Sequence, residues 1–415
     1  SENKQARLRS TLAMDHKQAE FSTTISVSSR GPSNLAVVKY WGKRDFDLVL
    51  PINSSLSATI HLDTLCSSTT IEANQSFQRN EMWLNGKEES FLQPRLQRCI
   101  QELLSRAQDL KNDSNIIVKK SEWKNFKLHI RSSNNFPTAA GLASSASGYA
   151  SLTKCLAELF CVKEEFDGEL STIARQGSGS ASRSLDGGWV KWNKGELSNG
   201  IDSFAVQIAS DEYWQEIRLL ILVVNTHKKK ISSTSGMQTS VETSDLLKFR
   251  AEKIVKQRIL EMEKAILDRN FEKFAELTMK DSNQFHAICA DTFPPIYYMN
   301  DVSRRIVNFI HDQNRDRIKA AYTFDAGPNA VLFVRNDDIE SILTALFEEF
   351  PPSNRNRESI ISDSLSLLNV AFLKSLKCIP SSAQHNPDLP IDAIQSITVT
   401  KVGPGAEITS THQFS

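Results

Sequence analysis

The residues best suited to chemistry lie at positions 137–147, where a proline and a glycine precede a run of alanines and serines. The sequence PTAAGLASSAS predicts a tight turn at Gly141, followed by a helix that ends near Leu159. The unpaired N–H groups and the positive dipole at a helix start favour a phosphate, and Ser144 and Ser145 add hydroxyls beside it. The segment is therefore either a phosphate-binding loop or a tight turn into an alanine-rich packing helix.

Two common nucleotide-binding signatures are absent from the sequence. The G-x-x-x-x-G-K-[ST] pattern does not occur, and the glycines Gly177 and Gly179 have no third glycine at Ser182. We therefore expect a phosphate loop that is neither a Walker loop nor a dinucleotide fingerprint.

Three cations lie close together in the sequence KYWGKRD at residues 39–45, with Tyr40 and Trp41 between them. Basic side chains at this density can hold a diphosphate or a carboxylate. The alternative is a solvated strand end. Amides and hydroxyls follow in the sequence PINSSLS at residues 51–57.

Small residues also dominate the sequence GSGSASRS at residues 177–184. They allow a ligand to approach the backbone, and Arg183 adds a guanidinium suited to a carboxylate or a phosphate. A flexible loop is the alternative. The stretch KKKISSTSGM at residues 228–237 is either a solvated lysine-rich face or a further group of anion-binding hydroxyls.

Asp325 is a lone acid between an aromatic residue and a Gly-Pro turn in the sequence YTFDAGPNA. It is either a positioned base or an Asx-turn residue. The sequence DSNQFH at residues 281–286 predicts a helix cap with ordinary polar contacts, and His286 is interpreted as structural. We expect no metal site in the protein, because no spacing of His, Cys and carboxylate residues supports one.

Composition narrows the classes of partner. Lysine plus arginine and aspartate plus glutamate both number 49, so the net charge is zero and neither nucleic acid nor an anionic membrane is expected as the main partner. The longest plain aliphatic run, residues 219–224, is far too short to span a bilayer. We therefore predict a protein without membrane insertion, with a flexible tail at residues 1–22 and no secretory signal or acid-poor transit peptide.

The order of elements predicts an α+β fold with a cleft between two halves. Strand patterns dominate up to residue 192, and the chain later mixes helices with strands. The predicted strands include residues 58–65, 189–192, 219–224, 330–334 and a final one at 397–402. The predicted helices cover residues 94–110, 142–159, 251–266, 271–279, 302–311 and 339–350.

Five stretches together resemble the mevalonate diphosphate decarboxylase family of the GHMP superfamily. The loop at residues 137–147 is similar to the superfamily motif P-x-x-x-G-L-x-S-S-A, whereas KYWGK and FDAGPN are specific to the decarboxylases. The matching stretches run in family order from about residue 27 to 335. Asp186 departs from the pattern, since an aromatic residue is usual there, and we expect it to pair with Arg183 or to alter the substrate loop.

The resemblance implies that ATP phosphorylates the tertiary hydroxyl of mevalonate 5-diphosphate, after which phosphate and carbon dioxide leave and isopentenyl diphosphate forms. Mg²⁺ accompanies ATP in this reaction. The implied catalytic residues are Asp325, Arg183, Ser145 and Lys39. The implied substrate-binding residues are Tyr40, Trp41, Gly42, Lys43, Arg95, Ser178, Gly179, Ser180, Ala181, Ser182, Arg183 and Thr234. The implied ATP-binding residues are Pro137, Ala140, Gly141, Leu142, Ala143, Ser144 and Ser145.

The family fold implied is a two-lobed GHMP fold, with a ribosomal protein S5 domain 2-like N-terminal lobe at residues 23–215 and a ferredoxin-like C-terminal lobe at 216–415. A variable excursion is expected near residues 353–390. The resemblance also implies a cytoplasmic homodimer. Two alternatives stay open: a GHMP kinase that releases a stable phosphorylated product, and an inactive relative that binds nucleotide or sugar as a sensor.

Overall fold

The computed structural model describes residues 23–112, 115–136, 144–224, 230–352, 357–376 and 392–414. Within these ranges strands and helices occur in runs, beginning with eight strands before the first helix, as the α+β prediction requires. No helix among them is long and apolar enough to cross a membrane.

Nineteen strands lie in the described part of the chain. They are β1 (Ile25–Pro32), β2 (Asn34–Val38), β3 (Lys43–Asp45), β4 (Leu50–Pro51), β5 (Ser55–Thr59), β6 (Cys66–Asn74), β7 (Glu81–Leu84), β8 (Lys87–Glu89), β9 (Leu110–Asn112), β10 (Asn115–Val118), β11 (Lys127–Asn134), β12 (Trp189–Trp192), β13 (Ala205–Ala209), β14 (Ile217–Val223), β15 (Ala320–Phe324), β16 (Ala330–Arg335), β17 (Ile361–Ser362), β18 (Ser396–Lys401) and β19 (Glu407–Phe414).

Ten α-helices lie in the same ranges. They are α1 (Pro94–Ser105), α2 (Ser144–Leu159), α3 (Glu169–Gly177), α4 (Ser233–Thr243), α5 (Asp245–Phe249), α6 (Val255–Leu267), α7 (Phe271–Asp291), α8 (Asp301–Gln313), α9 (Ile339–Glu349) and α10 (Val370–Leu376).

A six-stranded sheet in the order β19-β1-β6-β11-β7-β8 carries helix α2 on one face. Small residues bring the helix close to the sheet. A Cβ at Gly31 of β1 would lie only 2.4 Å from the Ser147 carbonyl oxygen and 2.5 Å from the Ser151 nitrogen. Because a side chain at position 31 would push the helix away, glycine at this position sets where the start of α2 lies.

A second sheet of the first half has the order β13-β12-β5-β2, and the second half contains a five-stranded sheet in the order β15-β16-β14-β18-β17. Both contribute to one large apolar core, which unites Val37 of β2 and Trp189 of β12 with Leu220 of β14 and Phe333 of β16. This shared core fixes the ends of β2 and β15, from which the site residues project, in one rigid frame.

The structure corrects four sequence predictions. The helix predicted at residues 94–110 ends at Ser105, and Leu110 begins β9. The strand near residue 400 is not the last, because β19 follows it and pairs antiparallel with β1, at the edge of the first sheet. The helix predicted at residues 271–279 continues to Asp291. The strand predicted at residues 58–65 is displaced to β5, since the chain turns after Ile60.

Candidate active site

Lys39 and Asp325 form an ion pair at the centre of the site. Lys39 directly follows β2 and Asp325 directly follows β15. The Lys39 Nζ lies 2.6 Å from Asp325 Oδ1. The lysine side chain is 3% exposed, whereas the aspartate side chain is 32% exposed. The pair therefore holds a carboxylate that a ligand can reach against a buried cation, an arrangement that can accept a proton from a bound hydroxyl.

The turn after β15 is held tightly. The Gly327 N–H donates to the Asp325 carbonyl at 2.7 Å, and the Val224 N–H donates to Asn329 Oδ1 at 2.8 Å. All five residues of β15 are buried. Asp325 therefore projects from a fixed strand end, and the Asx-turn alternative does not describe its side chain, which contacts Lys39.

Arg183 is buried, and among the described residues its three nitrogens bond only neutral hydroxyls. Its Nη1 donates to Ser55 at 2.7 Å, its Nη2 donates to Ser180 at 3.2 Å, and its Nε donates to Ser57. Burial lowers the pKa of Arg183 to about 10, and the nearby Asp325 carboxylate partly offsets that effect. A cation taken out of water in this way favours an anionic ligand, because hydroxyls do not neutralise it.

Tyr40 provides a hydroxyl donor near Arg183. Its oxygen is buried and has no hydrogen-bond partner among the described residues. A Cβ at Gly179 would lie 2.9 Å from that oxygen, so glycine there leaves the hydroxyl room. Burial raises the pKa of Tyr40, and the phenol stays protonated at neutral pH.

A cluster of three cations, Lys43, Arg95 and Arg98, lies near Tyr40. Burial and the charges of Arg95 and Arg98 lower the pKa of Lys43 to about 8. The Arg95 Nη2 lies 3.5 Å from Thr234 Oγ1, at the outer limit of a hydrogen bond. The only acid paired with the cluster in the described ranges is the exposed Asp47, which lies 3.1 Å from Arg98. Mutual repulsion among these cations is relieved by a ligand of high negative charge, such as a diphosphate.

The start of helix α2 meets the loop at residues 177–184 through two serines. Ser145 Oγ lies 3.1 Å from Ser178 Oγ. Of the predicted ATP-binding residues, Ser144 and Ser145 lie in the first turn of this 16-residue helix. Five others lie outside the described residues, namely Pro137, Ala140, Gly141, Leu142 and Ala143.

Two predicted substrate-binding residues, Trp41 and Gly42, have structural positions in the core and in a turn. The Trp41 side chain is in the core, 2% exposed, where its Nε1 donates to Ser240 at 2.9 Å and its ring packs on Phe285. The prediction that Trp41 contacts substrate is therefore not supported by its position. Gly42 has φ +95°, and a Cβ there would lie 2.7 Å from Ile52, so it serves the turn that separates Lys39 from Lys43.

Two further predicted substrate-binding residues shape the glycine loop. Ala181 and Ser182 are fully buried, and Ser182 Oγ donates to the Gly179 carbonyl at 2.8 Å. Their side chains are thus used within the loop, which presents Ser178, Ser180 and Arg183.

The expected pairing of Asp186 with Arg183 does not form. All three Arg183 nitrogens bond to serines, as described above, and burial together with the Glu164 charge raises the pKa of Asp186. The Asp186 carbonyl accepts from Thr59 Oγ1 instead. The physical reason is that the Arg183 guanidinium, carried by the short helical turn at Gly179–Ser184, is taken up by Ser55 and Ser57 of β5 and by Ser180.

Some polar residues of the site were missed or misplaced by sequence reasoning. Arg98 follows Arg95 by three residues on α1, and this helical spacing could have revealed it. Asp281 is not a helix cap, because it lies inside α7 and is completely buried. Its partners Arg250 and Arg258 are distant in sequence, and no local pattern predicts that they pair with Asp281.

The described residues contain no group of three or more His, Cys, Asp or Glu side chains able to hold a metal ion. The donor set fits a metal–nucleotide ligand instead. Ser145 is an exposed hydroxyl at a helix start, where backbone N–H groups favour phosphate oxygens.

An α+β fold in two joined halves, with clustered cations and a serine-bearing helix start, is the arrangement of a GHMP-type protein. Two family models match the chain: the diphosphomevalonate decarboxylase-like N-terminal domain at residues 31–205 and the mevalonate 5-diphosphate decarboxylase C-terminal domain at 219–409. Diphosphomevalonate decarboxylase of Danio rerio is 48% identical over 390 residues, which cover 92% of each chain. The chain belongs to the mevalonate diphosphate decarboxylase family.

Solved structures agree with this assignment. Mevalonate diphosphate decarboxylase from Trypanosoma brucei superposes with a TM-score of 0.81 at 35% identity, covering 93% of this chain and 98% of that one. The structure of MDDEF in complex with MVAPP, AMPPCP and magnesium superposes with a TM-score of 0.71 at 26% identity, covering 94% of this chain and 100% of that one.

Proposed function

We propose that this protein catalyses the ATP-dependent decarboxylation of mevalonate 5-diphosphate to isopentenyl diphosphate, in the mevalonate pathway of isoprenoid and sterol synthesis. The observation that carries the proposal is the Lys39–Asp325 pair together with two groups of cations: Arg183, whose charge interacts with Asp325, and the cluster at Lys43, in which Arg95 interacts with Tyr40. A substrate with a carboxylate, a hydroxyl and a diphosphate matches these three features in number and charge.

The diphosphate is assigned to Lys43, Arg95 and Thr234. These side chains supply two cations and a hydroxyl, and the Arg98 charge adds to the attraction. The opposite end, the carboxylate, is assigned to Arg183 and the serines of its loop, Ser178 and Ser180. Tyr40 interacts with the charges of both Arg183 and Arg95, and its hydroxyl has no partner among the described residues, which supports assigning it to the middle of the bound substrate.

Asp325 takes the proton of the tertiary hydroxyl as that oxygen bonds to the γ-phosphorus of ATP and the bond to ADP breaks. Lys39 holds the carboxylate in place for this transfer. In the second step the bond between the tertiary carbon and the phosphorylated oxygen breaks, and its electron pair leaves with phosphate. The electron pair of the bond to the carboxylate then forms the alkene, and carbon dioxide is released.

ATP is assigned to the start of α2 with Ser144, Ser145 and the preceding residues 137–143. Bound Mg²⁺ would supply charge neutralisation for the phosphate oxygens of ATP. The family structure with AMPPCP and magnesium supports this pair of ligands. Ser145 would contact the transferring phosphoryl group, since its hydroxyl joins the helix start to the substrate loop at Ser178.

The remaining assignments of this proposal are a boundary between lobes near residues 215–216, a homodimer and a cytoplasmic location. The two family-model ranges, which end at 205 and begin at 219, support the boundary.

Product analysis tests the proposed reaction. Incubation with ATP, Mg²⁺ and mevalonate 5-diphosphate should give isopentenyl diphosphate, ADP and phosphate by mass spectrometry and ³¹P NMR. Accumulation of a stable phosphorylated mevalonate diphosphate would assign the chain to the kinase alternative. ATP binding without any product would assign it to the inactive relative.

A further inference from the structure

Two neighbouring residues of α7 reach the two peptides that carry the catalytic pair. The Lys39 backbone N–H donates to Asp281 Oδ1 at 2.7 Å. The Phe324 N–H, one residue before Asp325, donates to Ser282 Oγ at 3.0 Å. Lys39 and Asp325 are 286 positions apart in the sequence, yet one turn of one helix holds both.

The Lys39 peptide is also held from its other side. Arg250 Nη2 donates to the Lys39 carbonyl at 3.2 Å, while the same guanidinium bonds Asp281 at 2.8 and 3.0 Å. Both side chains are completely buried. The charges of Arg250 and Arg258 hold the pKa of Asp281 below its usual range despite that burial. Asp281 and Arg250 thus clamp the N–H and the C=O of a single residue.

Arg258 provides an internal comparison. Its Nη1 bonds Asp281 Oδ2 at 3.0 Å and Gln284 at 2.9 Å. Arg250 shares both of those partners, at 2.8 and 2.6 Å. Arg250 differs from Arg258 in three respects: its Nη2 reaches the Lys39 carbonyl, the same nitrogen bonds Asp281 Oδ1, and its side chain is fully buried whereas that of Arg258 is 15% exposed.

The same helix also contacts the Asp325 side of the pair through His286, one turn after Ser282. The His286 ring packs edge-on against the Phe324 ring, with the ring centroids 6.1 Å apart, and burial followed by the Lys39 charge lowers the pKa of His286 to about 4. The imidazole is therefore neutral near pH 7 and does not compete with Lys39 for the Asp325 carboxylate.

We infer that Asp281, Ser282 and Arg250 are positioning residues, which set the distance between Lys39 and Asp325 by holding their backbones to one turn of α7. The inference rests on the proposed function for its kinetic consequence. Positioning is worth much in such a reaction, because a displacement of about 1 Å from the productive geometry can cost about 10²-fold in rate.

The matched pair Arg250→Lys and Arg258→Lys separates positioning from charge balance. Each change keeps a cation beside Asp281, but a lysine ammonium does not reproduce a guanidinium that reaches several acceptors in one plane. We expect Arg250→Lys to lower kcat at least about tenfold, with KM for ATP and for mevalonate diphosphate within about twofold of the wild type. Arg258→Lys should keep kcat near the wild-type value, even where its melting temperature falls.

A second matched pair serves if Arg250→Lys does not fold. Ser282→Ala removes the hydroxyl that holds Phe324, whereas Thr278→Val removes a buried hydroxyl on the same helix that has no partner among the described residues. We expect the serine change to lower kcat without raising KM and the threonine change to leave kcat unaltered. Equal kcat values within both pairs, after correction for folded fraction, would overturn the inference.

A structural measurement keeps this inference separate from the proposed function. Wild-type turnover of mevalonate diphosphate decides the function alone. Crystal structures of Arg250→Lys and Arg258→Lys decide the positioning even in a protein that lacks that activity. We expect the Lys39 Nζ–Asp325 Oδ1 hydrogen bond to be lost or lengthened in the first and kept in the second. An unchanged distance in both variants would refute the role of Arg250.

Discussion

Replacing Asp325 by Asn separates catalysis from stability at the centre of the site. The change keeps the size of the side chain and an oxygen that can accept from Lys39, but it removes the carboxylate that receives the proton. General-base assistance is typically worth about 10²–10⁴-fold. We therefore expect kcat to fall by about that factor, which corresponds to roughly 3–5 kcal/mol in the activation barrier.

The cost in stability is smaller and has a different origin. The Lys39 side chain is only 3% exposed, so Asp325→Asn leaves a buried ammonium with a neutral partner. A hydrogen bond to a charged group contributes about 1 kcal/mol more than a neutral one, and the partly exposed aspartate lets water reduce that difference. A loss of about 1 kcal/mol in the free energy of unfolding does not explain a 10²-fold loss of turnover in a protein that is still folded at the assay temperature.

The assay compares steady-state kinetics and thermal melting for Asp325→Asn and for the double variant Lys39→Met/Asp325→Asn. The second change removes the buried charge, so it should restore much of the melting temperature without restoring kcat. Retention of most of the wild-type kcat by Asp325→Asn would remove Asp325 from the mechanism. Recovery of kcat together with melting in the double variant would show that the first loss came from unfolding.

Three further predictions follow from the charges of the site. Arg183→Gln should raise KM for mevalonate diphosphate at least tenfold while KM for ATP stays within about threefold, since a charged hydrogen bond is worth about 1.5–3 kcal/mol; an unchanged KM for mevalonate diphosphate would exclude Arg183 from its binding. The pKa of Lys43 is lowered to about 8, so the free protein loses this cation as pH rises through that value, and KM for mevalonate diphosphate should increase between pH 7 and 9. Lys43→Arg should abolish the part of the pH profile that comes from this group. An identical profile in wild type and variant would contradict the assignment. Because the pKa of Asp186 is raised, its ionised form destabilises the fold at pH values above the raised pKa, and this cost is absent below the ordinary aspartate pKa. Asp186→Asn should therefore raise the melting temperature at pH 7 but not near pH 3, with KM unchanged. A change in KM would show that Asp186 acts on the substrate loop.

The predictable part of the site consists of short continuous stretches. KYWGKRD and YTFDAGPNA carry Lys39, Lys43 and Asp325 together with the turns that project them, so local sequence made these residues candidates, and the family resemblance supplied their expected roles. The strand at Trp189–Trp192 was likewise predicted with its boundaries, because Gly187 and Gly188 mark its start.

The unpredicted part depends on contacts between distant segments. Local sequence predicts a helix cap at Asp281, because its partners Arg250 and Arg258 lie in other segments of the chain. Only the packing of these segments shows that Asp281 is buried. Strand β19 was missed because its sequence EITSTHQF has a largely polar pattern. Its order comes from pairing with β1, nearly 400 residues earlier in the chain.

The release of carbon dioxide tests the central claim most directly. The protein should be given mevalonate 5-diphosphate labelled with ¹⁴C at the carboxyl carbon, with Mg²⁺ and ATP, and trapped ¹⁴CO₂ should be measured against ADP and phosphate. We predict one carbon dioxide and one phosphate for each ADP formed, and none of the three without ATP. ADP formed without labelled carbon dioxide, with the label retained in a phosphorylated product, would contradict the assignment as a decarboxylase.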